Sequence, residues 1–119
     1  MSNYKKDDLE LEKGRVHILV HVVDYQPNAT VTKTIIKKTT GYITVTSMDT
    51  GEELVRNVSA FDIYIQIIDG AADIIIDKEE FNLSMGEGII IPANTKSKFV
   101  AKNQFKMIST VIKSGYEDL

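Results

Sequence analysis

Cysteine is absent from the 119 residues, which excludes disulfides, thiolate metal ligands and a cysteine nucleophile in one step. Histidine is scarce, with His17 and His21 the only two. No apolar run approaches the roughly 18 residues of a membrane span, and the opening MSNYKKDDLELEKG holds no apolar stretch of the kind a signal peptide carries. Cytoplasmic residence is therefore the expectation, and the sequons at Asn28, Asn57 and Asn82 are taken as chance. A surplus of positive charge is also missing: 14 Lys and Arg stand against 17 Asp and Glu, for a net charge of -3. Phosphate backbones and anionic membranes select basic surfaces, so neither nucleic acid nor a membrane is expected as a partner. There is no Gly-x-Ser-x-Gly elbow. Gly86, Glu87 and Gly88 put an acid where a phosphate loop presents bare amides.

What the chain does have is β-branched aliphatic residues in short alternating runs. Sixteen isoleucines and a hydrophobic fraction of 43% suit one domain with a single core. Residues 1–14 read as a partly ordered arm, 15–115 as the domain and 116–119 as a solvated tail. Val16 to Tyr25 fits a strand or a short helix equally well. Thr30 to Lys38 reads as a strand. From Tyr42 to Met48, Tyr42, Thr44, Thr46 and Met48 share one side and Ile43, Val45 and Ser47 the other. Phe61 to Asp69 alternates in the same way, with Phe61, Ile63, Ile65 and Ile67 on one face. Asp69 and Gly70 carry the signal of a hairpin turn, with Ala72 to Asp77 as the returning strand. Glu80 to Leu83, Ile89 to Ile91, Ser97 to Ala101 and Phe105 to Lys113 complete eight to ten short strands. Gly86 to Phe99 (GEGIIIPANTKSKF) describes two of these folding back through a tight corner at Pro92 to Asn94. Strands at this spacing with so little helix predict an all-β sandwich or barrel. An open edge on such a barrel favours pairing with a second copy, so a homodimer is expected.

The spacing of these turns resembles the two-motif frame of the cupin superfamily. The first motif there runs glycine, five residues, His-x-His, three or four residues, Glu, six residues, glycine. The second runs glycine, five residues, Pro-x-Gly, two residues, His, three residues, Asn. Gly51, Gly70, Gly86 and Pro92 stand at the corresponding separations, and the likeness covers about residues 30 to 115. The resemblance implies a single-domain cupin-type jelly-roll β-barrel. It also places Asn57 and Ser59 where the two histidines of the first motif would be, Ile63 at its glutamate and Ser97 at the histidine of the second. Neutral amide and hydroxyl oxygens are poor substitutes for imidazole and carboxylate around a transition metal, and Ile63 offers no donor. Shifting the first motif by one residue substitutes Arg56 and Val58, which are worse as ligands. Asn94 and Ala101 replace the usual glycine and asparagine; Asn tolerates the left-handed backbone that such a corner requires.

The frame therefore implies a degenerate metal site, with no metal and no cofactor expected. Asn57, Ser59, Tyr64, Gln66, Ser97 and Ser109 become candidates for a polar lining that holds a small molecule by hydrogen bonds, against the alternative of a filled barrel whose polar groups satisfy one another. His17 and His21 are four apart, a metal-ligand spacing on a helix but about 13 Å on a strand, and a structural or surface role outweighs a catalytic one. Asp62 is expected to make a turn or edge hydrogen bond, Phe61 and Tyr116 to serve packing, and Lys96, Lys98, Lys102 and Lys106 to form a solvated face. The leading functional reading is a metal-lacking cupin that binds a small molecule. The alternatives are a metal-dependent cupin enzyme, such as a dioxygenase or isomerase, with a relocated site using His17, His21 or an acid from another subunit, and a structural or interaction module.

Overall fold

The computed structural model describes residues 3–7 and 9–115; the tail 116–119, Tyr116 included, lies outside the described residues. Nine strands and one helical turn follow in the order β1 (Asn3–Asp7), α1 (Leu19–Val22), β2 (Ala29–Lys38), β3 (Gly41–Met48), β4 (Glu53–Arg56), β5 (Ile63–Ile76), β6 (Glu79–Ser84), β7 (Gly88–Ile91), β8 (Ser97–Val100) and β9 (Phe105–Ile112). They form the curled sheets of a jelly-roll barrel, as the turn spacing implies. Among the described residues no helix is long and apolar enough to cross a membrane.

The longest strand, β5, belongs to both halves of the barrel. Its first part, Ile63 to Gly70, pairs with β9 on one side, and Ile63 to Gln66 with β7 on the other. Its second part pairs with β6 through Ala71 to Ile76 and with β8 through Asp73 to Ile76. Asp69 and Gly70, expected as a hairpin turn, instead lie within this continuous strand where it passes from one sheet to the other. A register shift between Ile67 and Asp69 supplies the local bend. Gly70 has φ +72, and a Cβ there would run into the carbonyl oxygen of Gln104. Glycine is used here for a sheet-to-sheet corner, a role that shares its composition with a two-residue turn.

The Gly86–Phe99 stretch needs a similar correction. β7 and β8 do not fold back on each other; both pair with β5, at opposite ends of it. The corner between them carries the chain across the barrel. Asn94 adopts φ 62, the left-handed backbone that the sequence allows it. Its N–H donates to the Ser59 carbonyl at 2.6 Å, and Ala93 N–H donates to Asp62 Oδ1 at 2.7 Å, the turn bond expected of that acid.

The alternation read from Phe61 to Ile67 sets the core. Ile63, Ile65 and Ile67 are buried beside Ile74, Ile91, Phe99, Phe105, Met107 and Val111, with Phe61 packed against them. Val16 to Tyr25, which fitted strand or helix, contains only the single turn α1 and lies across the outer face of the first sheet. Val22 and Val23 there meet Ala29, Val31, Val45, Ile35 and Ile68 in a second, smaller core. Three polar contacts fasten this segment. Tyr25 Oη donates to Asp69 Oδ2 at 2.7 Å, Ser47 Oγ donates to the Asp24 carbonyl at 2.9 Å, and Lys106 Nζ donates to the Val20 carbonyl. Lys106 is therefore no part of a solvated face: it is buried, with its ammonium 4.8 Å from the centre of the Tyr25 ring. Burial and the neighbouring Asp69 carboxylate push the Tyr25 phenol far above its ordinary pKa. Lys98 and Lys102 do reach solvent, and pair with Glu53 and Asp73. In the N-terminal arm, residues 3–7 form β1 and pair in parallel with β2 at the sheet edge.

Gly70→Ala is expected to lower unfolding free energy by more than about 2 kcal/mol, because left-handed backbone and a backbone clash coincide. Gly51→Ala, at φ +89 but with open space around it, is expected to cost only about 1 kcal/mol. Urea denaturation of the two variants checks this, and equal losses would remove Gly70 from its corner role.

Candidate functional site

The half of the barrel built from β2, β3 and β9 turns its hydroxyls inward. Thr30, Thr32 and Thr34 of β2 pair with Met48, Thr46 and Thr44 of β3, and the last three pair with Phe105, Met107 and Ser109 of β9. All these residues are buried, while Val31 and Val45 point the other way into the second core. One row crosses the whole sheet: Thr34, Thr44, Ser109, Ile65 and Ile89 are successive ladder partners. Thr32 and Thr46 hydroxyls satisfy each other at 2.8 Å. Thr34, 1% exposed, has no partner for its hydroxyl.

Facing this row from the other sheet is Arg56, the last residue of β4 and the ladder partner of Ser97 on β8. Its Nη2 donates to Ser109 Oγ at 3.3 Å, so the side chain spans the interior from one sheet to the other. Its guanidinium carbon lies 5.7 Å from the centre of the Phe99 ring, and Phe99 in turn sits 6.5 Å from Phe105. Nε is closed off from solvent and has no acceptor; neither does Ser97 Oγ, in a residue 3% exposed. Burial lowers the Arg56 pKa, and the Tyr42 and Tyr4 phenols act in the opposite direction. Among the described residues no carboxylate pairs with it. A groove of about 600 Å³ is lined by Ile76, Phe81, Ile89, Ile90, Pro92 and Thr95 together with the charged Asp77, Lys78 and Glu79. Ile76 is the ladder partner of Ser97, and Ile89 that of Ile65.

Of the six candidate lining residues, Ser97 and Ser109 lie inside the barrel. Asn57 is exposed, one residue beyond the inward-facing Arg56. Ser59 is in the loop before β5, where its Oγ accepts the Phe61 N–H at 3.1 Å. Tyr64 and Gln66 alternate with the core isoleucines and so face outward; Tyr64 is 43% exposed. Arg56, at the end of β4, is the residue that turns inward there, while Asn57 and Val58 in the loop beyond are exposed. Arginine looked worst as a metal ligand, which is why sequence reasoning passed over it. The available signal was that a lone cation at that point of a short strand needs a partner.

The residues present do not suit the transition metal that the frame implies. A guanidinium beside Ser97 repels a divalent cation, and hydroxyls are weak ligands for one. Among the described residues no three His, Asp or Glu side chains come together in a way that would hold a metal. His17 and His21 line one shallow groove on the outer surface, but Lys33 lines it too. His17 Nε2 donates to the Glu12 carbonyl at 2.9 Å, and His21 is exposed in α1.

No protein-family model matches the sequence, and no curated protein matches it. Solved structures do match. A conserved protein of unknown function from Streptococcus pyogenes is 27% identical over 92% of this chain and 96% of its own, with a TM-score of 0.82. A cupin 2 conserved barrel domain protein from Leptotrichia buccalis is 29% identical over 80% of this chain, with a TM-score of 0.76; the chain spans 46% of that protein's length. A cupin superfamily protein from Desulfitobacterium hafniense, 20% identical over 89% of this chain and 97% of its own, has a TM-score of 0.81 and shares the fold.

Unfolding in urea separates the two interior serines. Ser97→Ala is expected to gain about 0.5–1 kcal/mol by deleting a buried hydroxyl that bonds to nothing. Ser109→Ala is expected to lose about 2 kcal/mol, because it strips an ionised donor of its acceptor. Losses of equal size at both positions would contradict the geometry described.

Proposed function

Since the chain belongs to the cupin superfamily, we propose that it binds a small molecule inside its barrel without a transition metal. The observation that carries this reading is Arg56: a cation turned into the interior, bonded to a neutral hydroxyl, beside the buried Ser97 hydroxyl, which lacks a partner, with a second such hydroxyl at Thr34 on the facing sheet. Buried polar groups are ordinarily satisfied, and exceptions concentrate where a ligand or function requires them. The groove at Ile76, Phe81 and Ile89 supplies the approach. A relocated metal site at His17 and His21 is not favoured, because Lys33 shares their groove.

Metal analysis of protein purified without chelator is expected to find transition metals far below one atom per chain. Fragments screened by amide chemical-shift changes are expected to perturb Ser97, Ser109 and Thr34. A stoichiometric metal that Ser97→Ala releases would overturn the reading.

Pairing with a second copy is part of the same proposal. The outer face of the first sheet leaves Tyr64, Ile90 and Ile112 exposed around a hollow of about 350 Å³. A two-fold axis through such a patch would let it cover itself. Sedimentation at micromolar concentration is expected to give a dimer for the native chain and a monomer for Ile90→Asp; a native monomer removes the pairing.

A further inference from the structure

The class of ligand follows from the charge inside the barrel, and the inference rests on the interior-binding reading above. A guanidinium has five N–H donors and no acceptor. At Arg56 one donor on Nη2 is used by Ser109, and Nε–H has no acceptor. Among the described neighbours, Lys98 and Lys102 pair with acids on the surface, Lys106 is held under α1 on the far side of the sheet, and Lys78 and Lys96 are exposed, each lining a groove shared with Asp77. Among the described residues, Arg56 is thus the cation turned into the interior. One negative charge balances it, whereas a phosphate dianion would need a second cation. The remaining groups are hydroxyls that can donate, Ser97 Oγ and Thr34 Oγ1, and apolar walls, Phe99, Ile65 and Ile89.

The geometry points to a small monocarboxylate with an apolar body, its oxygens taken by the Arg56 fork and the Ser97 hydroxyl, its body against Phe99. A planar carboxylate matches two parallel N–H bonds from one guanidinium. Arg56 is partly exposed as a whole although Nε is closed off. As the anion enters, the fork turns from Ser109 to engage it. Neutral molecules of the same shape would leave the cation without compensation.

Titrations of the full chain with propionate and benzoate, their amides propionamide and benzamide, and inorganic phosphate test this, followed by the Arg56 Nε–H resonance and by calorimetry. The carboxylates are expected to shift that resonance and the Ser97 and Thr34 amides saturably, binding at least about tenfold more tightly than their amides. Arg56→Lys, which keeps the charge and loses the fork, is expected to weaken them about tenfold, and Arg56→Met to abolish the difference between acid and amide. Amides that bind as well as the acids, or phosphate that binds better, would overturn the carboxylate assignment while leaving interior binding intact. If neither these compounds nor a general fragment library perturb the interior residues, both the inference and the reading beneath it fall. Should Arg56→Met not fold, the comparison of acid with amide on the native chain still decides.

Discussion

A strand that serves two sheets has to turn without losing its hydrogen bonds, and in this protein that demand falls on β5. Its first eight residues and its last six face different neighbours. The transfer happens where Gly70 passes under the Gln104 carbonyl with a left-handed backbone. Because β7 and β8 each pair with opposite ends of β5, the corner at Pro92 to Lys96 is obliged to cross the barrel. Because β4, among the described residues, pairs with β8 alone, the placement of Arg56 opposite Ser109 follows from the same bend. The interior site is thus a by-product of where one strand turns.

The two faces of the β2–β3–β9 half divide the work of stability in an unusual way. Hydrophobic burial on the outside, where Val22 and Val23 cover Val31 and Val45, frees the inside to be lined by threonines. Burying hydroxyls costs little when they pair, as Thr32 and Thr46 do, and more when they do not, as with Thr34. An arginine that no described carboxylate pairs is costlier still. These costs collect in one place, around Ser97, Ser109 and Thr34, while the Ile63, Ile65 and Ile67 side of the barrel is conventionally packed.

Much of the fold was legible in the sequence because its signals are local. Period-two alternation identified β3 and the first half of β5. The requirement for a left-handed residue was readable at Asn94. Turn spacing gave the barrel. What was hidden depends on non-local geometry. Asp69 and Gly70 have the composition of a tight turn and become a bend only because β9 lies alongside. Lys106 resembles any surface lysine until Tyr25 and the Val20 carbonyl are packed over it. For the site, Ser97 and Ser109 were found by position, whereas Tyr64 and Gln66 fell on the outward phase of their strand. Asn57 falls in the loop just past the end of β4, where it is exposed. Arg56 was overlooked because only ion-holding side chains were being sought.

The glycines that approach β9 have a mechanical consequence. Gly41 lies against the backbone at Val111 and Ile112, and Gly70 against that of Gln104 and Phe105, so both ends of β9 sit in gaps where a side chain would otherwise stand. The strand is seated like a rod between two notches. Exchanges among its middle residues would alter what fills the barrel, yet sliding by one place would drive carbonyls into Cβ atoms at either end, so its content is free to vary while its alignment stays locked.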